Sequence, residues 1–472
     1  MGEIMEDNIR PSPMILLALL LAIFLSAIDA TVVAVAMPRV VAQLGGVNIY
    51  SWVFTAYILS STISGPLWGR ISDIYGRKTV YMAGIAIFIV GSALSGISAS
   101  MLQLVIFRAL QGLGAGSVLV LTFTMIGELY KLEERARITG YTTSVWTLAS
   151  VAGPPLGGFL VDNVDWRWVF YINIPFGIVS ASIIWRKLAS IRGEVKSIDV
   201  VGAALFSSAF TTILLYLNEY SSLGPLGLLA IPVSITALSA FIYVERRAAN
   251  PLIPLNIFRD RVLRVAYLGN LTAGFIFFGT IAYMPLYLQW GIRLNATQSG
   301  LALLPITIGW LKSANLSARL VVTMGPKPLA LSSGLFLLAG TAAMTFLKDI
   351  LPLLLTSLWL LGMGMGFTVS TFLITTQTVV SRSILGVATS LLSFLRLLGG
   401  AVSAVVLWVP ISAVVGGLEP GLDASVPTLT PEQVAAFSTA ISQAFTICIA
   451  IAATSLAIYL LLPPIKLRGR QA

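Results

Sequence analysis

Long apolar runs separated by short charged or turn-rich breaks extend along almost the whole chain of 472 residues. Most runs have the length of about 20 residues that an α-helix needs to cross the hydrocarbon core of a membrane. Their boundaries predict an all-α membrane protein with fourteen transmembrane spans. The predicted spans are residues 14–38, 50–69, 79–98, 102–126, 138–161, 167–185, 200–217, 225–244, 263–290, 297–318, 328–347, 350–373, 386–416 and 436–462.

The composition agrees with this pattern and excludes a soluble protein. Hydrophobic residues make up 57% of the chain and charged residues 10%, whereas soluble domains carry about 25% charged residues. We therefore expect a multi-pass protein of the cell membrane, in contact with the lipid bilayer. The net charge of +10 is attributed to loop bias, and nucleic-acid binding is not expected.

The distribution of Lys and Arg orients the predicted spans. Placing the N-terminus in the cytoplasm puts 22 of the 29 basic residues in inner segments and only four in outer loops. Three more fall inside spans. Such an excess on one side follows the positive-inside rule, and adding or removing one span would destroy it. Both termini are therefore predicted to be cytoplasmic.

The spans group into six, two and six. The segment 200–244 forms a predicted hairpin with both ends in the cytoplasm, which leaves six-helix bundles at 14–185 and 263–462. A faint internal repeat supports the division, because the stretch 69–78 is echoed 249 residues later by the stretch 318–327. Related halves around a central cavity are typical of secondary transporters.

The residues that the chain lacks limit its chemistry. The chain has no His and a single Cys, Cys448, which excludes a disulfide within the chain and a Cys/His metal site. It also lacks the G-x-x-x-x-G-K-[ST] pattern of a P-loop. We expect no metal, no cofactor and no enzymatic activity. Any transport work must then draw on a gradient or on a separate subunit.

Several motifs, in order along the chain, resemble those of one family. They are Asp29-Ala30-Thr31-Val32-Val33; Gly69, Asp73, Gly76, Arg77 and Lys78; Arg108, Gln111, Gly112 and Gly114; Gly140, Gly153, Pro154, Gly157 and Gly158; the stretch Trp166-Arg167-Trp168-Val169-Phe170-Tyr171-Ile172-Asn173-Ile174-Pro175; and Asp199, Gly202 and Leu205. Together they resemble a major facilitator superfamily transporter of the fourteen-span drug:proton antiporter type. The resemblance implies alternating-access efflux of hydrophobic or drug-like small molecules in exchange for protons.

Two other functions remain open. The same fold could work as a symporter or uniporter for a metabolite. A membrane sensor that no longer transports is a weaker alternative, because such proteins usually need a signalling domain or a long tail. The expected partners are a small-molecule substrate and protons, and the protein is expected to be a monomer.

Asp29 is the first candidate for proton coupling. It is the only one of 19 acidic residues placed deep in a span, and intramembrane acids are costly and usually functional. Arg108 is expected at a similar depth in the fourth span, where it could pair with Asp29 or join a polar network with Gln111. Burial favours a neutral carboxyl group and a nearby guanidinium favours the ionised form, so the pair could load and release a proton. The alternative is a permanently ionised structural pair.

Other polar and aromatic residues in spans are candidates for a substrate cavity. Lys312 and Arg396 would favour neutral or anionic substrates if both line it, although Lys312 could instead reach the cytoplasmic surface. Aromatic rings suit flat apolar ligands, but most aromatic residues in spans simply pack or face lipid. The remaining candidates are Gln111, Trp52, Tyr57, Trp146, Tyr283, Tyr287, Gln289 and Gln377.

Two motifs are candidates for conformational gating. Gly153, Gly157 and Gly158 would bring helix backbones together, and Pro154 can bend the fifth span. They could form a hinge between the halves or only pack tightly. The second motif lies in a predicted cytoplasmic loop, where the resemblance implies a latch between the halves and the alternative is topology charge alone. Its residues are Gly69, Asp73, Gly76, Arg77 and Lys78.

Overall fold

The computed structural model describes residues 12–130, 132–188, 227–247, 255–380, 384–415 and 430–465, with scattered residues between 201 and 216. Regular secondary structure in these residues is helical throughout. The helices are α1 (Pro13–Leu44), α2 (Tyr50–Tyr75), α3 (Arg77–Gly96), α4 (Met101–Leu129), α5 (Leu132–Asn163), α6 (Trp168–Tyr171), α7 (Asn173–Lys187), α8 (Ala230–Glu245), α9 (Arg261–Leu286), α10 (Ala296–Ala302), α11 (Leu304–Met324), α12 (Pro326–Phe346), α13 (Leu351–Val379), α14 (Leu385–Val406), α15 (Trp408–Val415) and α16 (Pro431–Leu460).

Thirteen of the fourteen predicted spans overlap one of these helices. Ten of the described helical stretches are long and apolar enough to cross a membrane. The predicted span 200–217 lies largely outside the described residues. The count of fourteen spans and the boundaries of the two bundles therefore stay predictions.

Several helix boundaries differ from the predicted ones. α1 begins after the N-cap Ser12 and continues to Leu44, and Gly45 ends it with a left-handed φ of 65°. Pro38, which was expected to end the span, lies inside the helix. Asp29 is therefore about 22 Å of helical rise from the far end of α1, instead of the roughly 13 Å expected from Pro38. The predicted span 386–416 is divided at Leu407 into α14 and α15.

The helices pack into two groups, which we call the N-terminal half (α1–α7) and the C-terminal half (α9–α16). In the N-terminal half the main contacts are α2–α4, α3–α4 and α1–α5, and in the C-terminal half they are α11–α13, α9–α14 and α12–α13. The halves meet along α1–α9, α2–α14 and α5–α10. The largest apolar core contains residues of both halves, among them Val33, Tyr50, Tyr283 and Trp408.

Two turns show the internal repeat in three dimensions. Gly76 lies between α2 and α3 with φ 89°, and Gly325 lies between α11 and α12 with φ 79°. Each glycine N–H donates to the carbonyl four residues earlier, Ser72 or Val321, at 3.0 Å. Glycine suits both turns because other residues are strained at these positive φ values. The matching geometry supports the predicted relation between the halves.

One apolar cluster in each half marks the same end of that half. Ile15 at the start of α1 clusters with Val80 at the start of α3 and Ile126 at the end of α4. Val262 at the start of α9 clusters with Leu462, just after α16. We call this end of each half the terminal end and the opposite end the distal end.

Candidate functional site

Asp29 lies inside the N-terminal half at the centre of a hydrogen-bonded cluster. Its side chain is fully buried. Arg108 Nη1 donates to Asp29 Oδ2 at 2.7 Å, and Gln111 Nε2 donates to Asp29 Oδ1 at 2.9 Å. Arg108 Nη1 also donates to Gln111 Oε1 at 2.7 Å. Both partners come from one face of α4 because residues three apart are neighbours on a helix.

Asn173 and Ser92 complete this group, which we call the Asp29 cluster (Asp29, Ser92, Arg108, Gln111, Asn173). Asn173 Nδ2 donates to Asp29 Oδ1 at 3.1 Å and to Ser92 Oγ at 3.0 Å. No role was predicted for either residue. Asn173 belongs to the motif that begins at Trp166. The sequence feature that could have identified it is its polar amide side chain within an apolar segment. Ser92 resembles many other serines in spans.

Further contacts fix the Arg108 guanidinium. Arg108 Nε donates to the Val53 carbonyl at 3.4 Å. Its Cζ lies 4.1 Å from the centroid of the Tyr57 ring, within cation–π distance. Tyr57 and Gln111 were predicted to line a substrate cavity, but the structure buries both of them around Arg108.

Polar contacts join the two halves at the distal end. Tyr50 Oη donates to the Ala282 carbonyl at 2.9 Å. Gln289 Nε2 donates to the Val35 carbonyl at 2.9 Å. Gln289, another predicted cavity residue, is therefore a contact between α1 and the segment that follows α9.

Asp162, near the end of α5, binds the N-terminus of α10 in the other half, where Asn295 is the N-cap residue. The N–H groups of Ala296 and Thr297, at the start of α10, donate to its carboxylate at 3.2 and 2.7 Å. Thr297 Oγ1 donates to the same carboxylate at 2.6 Å. A carboxylate at this position satisfies free backbone donors and interacts favourably with the helix dipole. No sequence motif marked Asp162, because its partners are 134 and 135 residues away.

Aromatic residues also pack across the distal interface. The rings of Tyr50, Tyr283 and Trp408 stack with centroids 5.0 to 5.9 Å apart. Tyr283 additionally donates to the Ala404 carbonyl. Tyr283 was predicted to face a cavity, but it is fully buried in this interface.

The other predicted aromatic residues occupy different positions. Tyr287 is buried and its hydroxyl donates to Asp349 Oδ1 at 2.6 Å. Trp146 is half-buried against the main apolar core. Trp52 is also half-buried. None of these three rings belongs to the Asp29 cluster.

The glycines of α5 allow a close approach to α1 in the same half and to α10 in the other half. A side chain at Gly153 or Gly157 would press against α1, and one at Gly158 would clash with the backbone of α10. From the other side, a side chain at Gly300 would clash with the Pro154 carbonyl. The glycine motif therefore lies at an interface between the halves, where backbones approach without intervening side chains.

Arg77 organises the turn between α2 and α3 at the terminal end. It forms ion pairs with Asp73 at 2.5 Å and with Glu128 at 2.7 Å. Lys78 Nζ lies 5.2 Å from the centroid of the Trp185 ring. Glu128 was not identified from the sequence. All these contacts lie within the N-terminal half, so they do not themselves join the two halves.

α2 and α14 pack against each other across the two halves. Ile58 and Leu59 of α2 pack near Ala401 and Val405 of α14. Residues 399–401 are buried, whereas residues 393–398, closer to the terminal end, are partly or fully exposed. The segment 393–398 of α14 is therefore less buried than its neighbours on either side, residues 399–401 and the buried Leu391 and Leu392.

Three predicted cavity residues lie in the C-terminal half. Lys312 is exposed, whereas Gly309 and Ser313 on another side of α11 are buried. Gln377 is exposed near the end of α13. Arg396 lies in the middle of α14 and is partly exposed. The structure does not bring any of the three to the Asp29 cluster.

A second polar cluster lies in the C-terminal half and contains only hydroxyl side chains. Ser333 Oγ lies 2.5 Å from Thr368 Oγ1, which lies 3.1 Å from Tyr459 Oη. Tyr459 Oη also donates to the Gly269 carbonyl at 3.3 Å. We call Ser333, Thr368 and Tyr459 the hydroxyl cluster. It was not identified from the sequence, because serine and threonine are frequent throughout the spans.

The two related helical halves and their buried polar clusters define a membrane transporter. The family model of the Major Facilitator Superfamily matches residues 19–404. The chain belongs to this superfamily.

Curated relatives and solved structures agree with this assignment. The chain is 33% identical over 437 residues to Multidrug transporter protein MdtP of Bacillus subtilis, covering 90% of this chain and 80% of that protein. It is 32% identical over 397 residues to Multidrug resistance protein 3 of the same organism, covering 82% and 77%. A bacterial homolog of the human lysosomal transporter Spinster, in an inward-facing and occupied conformation, has a TM-score of 0.69 at 16% identity and 97% coverage of both chains. A D-xylose-proton symporter has a TM-score of 0.61 at 14% identity, covering 92% and 96%.

Proposed function

We propose that the chain is a proton-coupled exporter of hydrophobic or drug-like small molecules that works by alternating access. The observation that carries the proposal is the Asp29 cluster, a fully buried acid that is enclosed by polar donors inside a membrane-spanning half. The proposed topology has fourteen spans and both termini in the cytoplasm, as the distribution of Lys and Arg predicts.

The hydrogen bonds around Asp29 suit its ionised form. Arg108, Gln111 and Asn173 all direct N–H donors at the two carboxylate oxygens. A protonated carboxyl group is itself a donor on one oxygen. A protonated oxygen has less acceptor capacity left for these donors, so proton binding would weaken or displace at least one of the contacts. Such a rearrangement would connect the protonation of Asp29 to the packing of α1, α4 and α7.

The contacts between the halves support an inward-facing state. If the terminal end is cytoplasmic, the Asp162 contact, the Gln289 contact and the aromatic stack close the outer side. The exposure of residues 393–398 is consistent with an open inner side. An exporter in this state exchanges a bound proton for substrate on the cytoplasmic side. The ionised form of Asp29 fits the completed exchange, in which the proton has left.

The names of two relatives favour export. MdtP is named a multidrug transporter, and a second relative is named an efflux pump at 29% identity. The conformational role of the glycines around Pro154 and of the charged loop at Arg77 is part of the proposal. Both motifs lie at contacts between helices, so a movement of one helix against another would change these contacts. The proposed location is the cell membrane, with the protein acting as a monomer.

Purified protein in liposomes containing a pH-sensitive dye provides the test. Substrates from a panel of cationic, neutral and anionic amphipathic compounds are added under an imposed proton gradient. Antiport predicts proton movement opposite to substrate movement, and a protonophore should abolish uphill transport. Proton movement in the same direction as substrate would indicate a symporter. Substrate movement without any proton flux would indicate a uniporter and would overturn the proposal.

A further inference from the structure

We propose that Arg396 binds an anionic or strongly hydrogen-bond-accepting group of the transported molecule, such as a carboxylate. This inference rests on the proposed function, because it assigns a substrate class to the same transporter. It would make aromatic or aliphatic acids better ligands than their neutral or cationic analogues of the same shape.

The depth of Arg396 makes an unrelated structural role costly. It lies in α14, which begins at Leu385, inside the long apolar stretch Val387–Val415. The helical rise places it about 16 Å from the beginning of the helix. An arginine inside a span is rare and is usually found facing a water-filled cavity or paired with an acid. An extended arginine side chain is shorter than this distance, so it does not reach the end of the helix.

Arg396 is also unpaired, unlike Arg108. Arg108 is enclosed by Asp29, Gln111, Val53 and the Tyr57 ring. Among the described residues, Arg396 has neither an ion pair nor a side-chain hydrogen bond. A guanidinium presents five N–H donors in a fork that matches the two oxygens of a carboxylate. A ligand that supplies those oxygens would satisfy the donors that the protein leaves free.

The position of Arg396 on α14 gives a substrate access to it. Ala401, about 7 Å away along the helix axis, is buried near Ile58 and Leu59 of the N-terminal half. Arg396 lies just beyond that contact, in the partly exposed segment 393–398. Arg396 is therefore on the terminal side of the contact between α2 and α14. In the proposed inward-facing state, a ligand that enters from the terminal end would reach this level of α14 before the closed contact at Ala401.

The test compares three probes of the same shape with purified protein in detergent. The probes are 2-naphthoate, 2-naphthamide and 2-naphthylmethylamine, and binding is measured by calorimetry. We expect 2-naphthoate to bind about tenfold more tightly than the amide, which is the effect of a charge-assisted hydrogen bond. Arg396→Gln should remove this preference, whereas Arg396→Lys should retain part of it because the charge remains without the fork.

Lys348→Gln is the matched control, since it removes one positive charge from a lysine that pairs with Asp349 at 3.5 Å. It should leave the preference for 2-naphthoate unchanged. The proposal is overturned if wild-type protein binds 2-naphthoate no better than the amide. It is also overturned if Arg396→Gln keeps the preference or weakens all three probes equally. A protein that keeps the preference but shows no proton-linked transport would contradict the proposed function and leave this inference intact.

Discussion

The two halves place polar clusters on corresponding helices but fill them with different chemistry. The Asp29 cluster uses α1, α3, α4 and α7, and the hydroxyl cluster uses α12, α13 and α16 with a carbonyl of α9. The first contains a buried ion pair at 2.7 Å, whereas the second contains only hydroxyl groups from Ser333, Thr368 and Tyr459.

The clusters also differ in depth. Ser92 lies near the distal end of α3, whereas Ser333 lies in the first half of α12, closer to the terminal end. The helical rise places Ser92 about 22 Å and Ser333 about 10 Å from the terminal end of its helix. The halves thus share a helical frame but not a common polar site. Hydroxyl side chains do not change charge near neutral pH, so only the N-terminal cluster is suited to carrying a proton.

The largest expected effect comes from Asp29→Asn. An amide of the same shape cannot bind and release a proton, so uphill export driven by a proton gradient should fall to the level of empty liposomes. Exchange of labelled for unlabelled substrate across the membrane needs no net proton movement and should continue. Ser333→Ala, at the corresponding helix of the other half, should preserve both activities. Equal losses in the two variants would remove the distinction between the halves.

Asn173→Ala should have a smaller effect than Asp29→Asn. It removes one donor to the Asp29 carboxylate, and a hydrogen bond to a charged group is worth about 1.5–3 kcal/mol. The proton-binding group therefore loses one of its contacts, and the pH profile of transport should change. Ser180→Ala, which removes a hydroxyl on α7 that donates to the Ala18 carbonyl, should leave the pH profile unchanged. Superimposable profiles for wild type and Asn173→Ala would contradict the assignment.

Asp162→Ala should loosen the closure of the distal end. The N-cap Asn295 stays in place, and loss of the hydrogen bonds to the exposed Asp162 is expected to cost about 0.5–1.5 kcal/mol. This shifts an equilibrium between closed and open states by up to roughly tenfold. The measurement is the rate at which an impermeant thiol reagent labels a cysteine at Ser299, which is buried in α10, in a Cys448→Ser background. Labelling should accelerate in Asp162→Ala. Asp165→Ala serves as the control because Asp165 pairs with Arg167 inside the N-terminal half. Similar labelling rates in both variants would argue against a distal lock at Asp162.

The smallest effect is expected from Tyr459→Phe in the hydroxyl cluster. It removes one hydroxyl with little change of shape, and a neutral hydrogen bond contributes about 1 kcal/mol. The thermal unfolding temperature in detergent should fall slightly, and proton-coupled transport should remain. A loss of coupling with a wild-type unfolding temperature would instead give the C-terminal half a part in proton transfer.

The ion pair was accessible to prediction from the sequence because charges in spans are rare. Asp29 and Arg108 could be matched by depth alone, even though the depth estimate used Pro38 as a helix end. That estimate was wrong because the apolar residues Val40 and Val41 continue the buried face of α1 beyond the proline. A single proline removes one backbone donor but does not cancel the burial of a whole helical face.

The contacts between the halves were not accessible to the same reasoning. Asp162 and Glu128 are acidic residues near helix ends, where charges are ordinary and carry no signal. The aromatic residues Tyr283 and Tyr287 were assigned to a cavity by residue type. Helical periodicity does not tell whether a ring faces a ligand or a neighbouring helix. In the structure both rings are buried, and their part in a substrate cavity stays a prediction.

The most direct test of Asp29 as the coupling site is the number of protons released when substrate binds. Purified wild-type protein and Asp29→Asn are placed in weakly buffered detergent solution, and the pH is recorded while the tightest-binding compound of the panel is added. Wild-type protein should release protons in proportion to bound substrate, and Asp29→Asn should bind the compound without release. Equal proton release by both proteins would contradict the assignment and place the coupling group elsewhere in the chain.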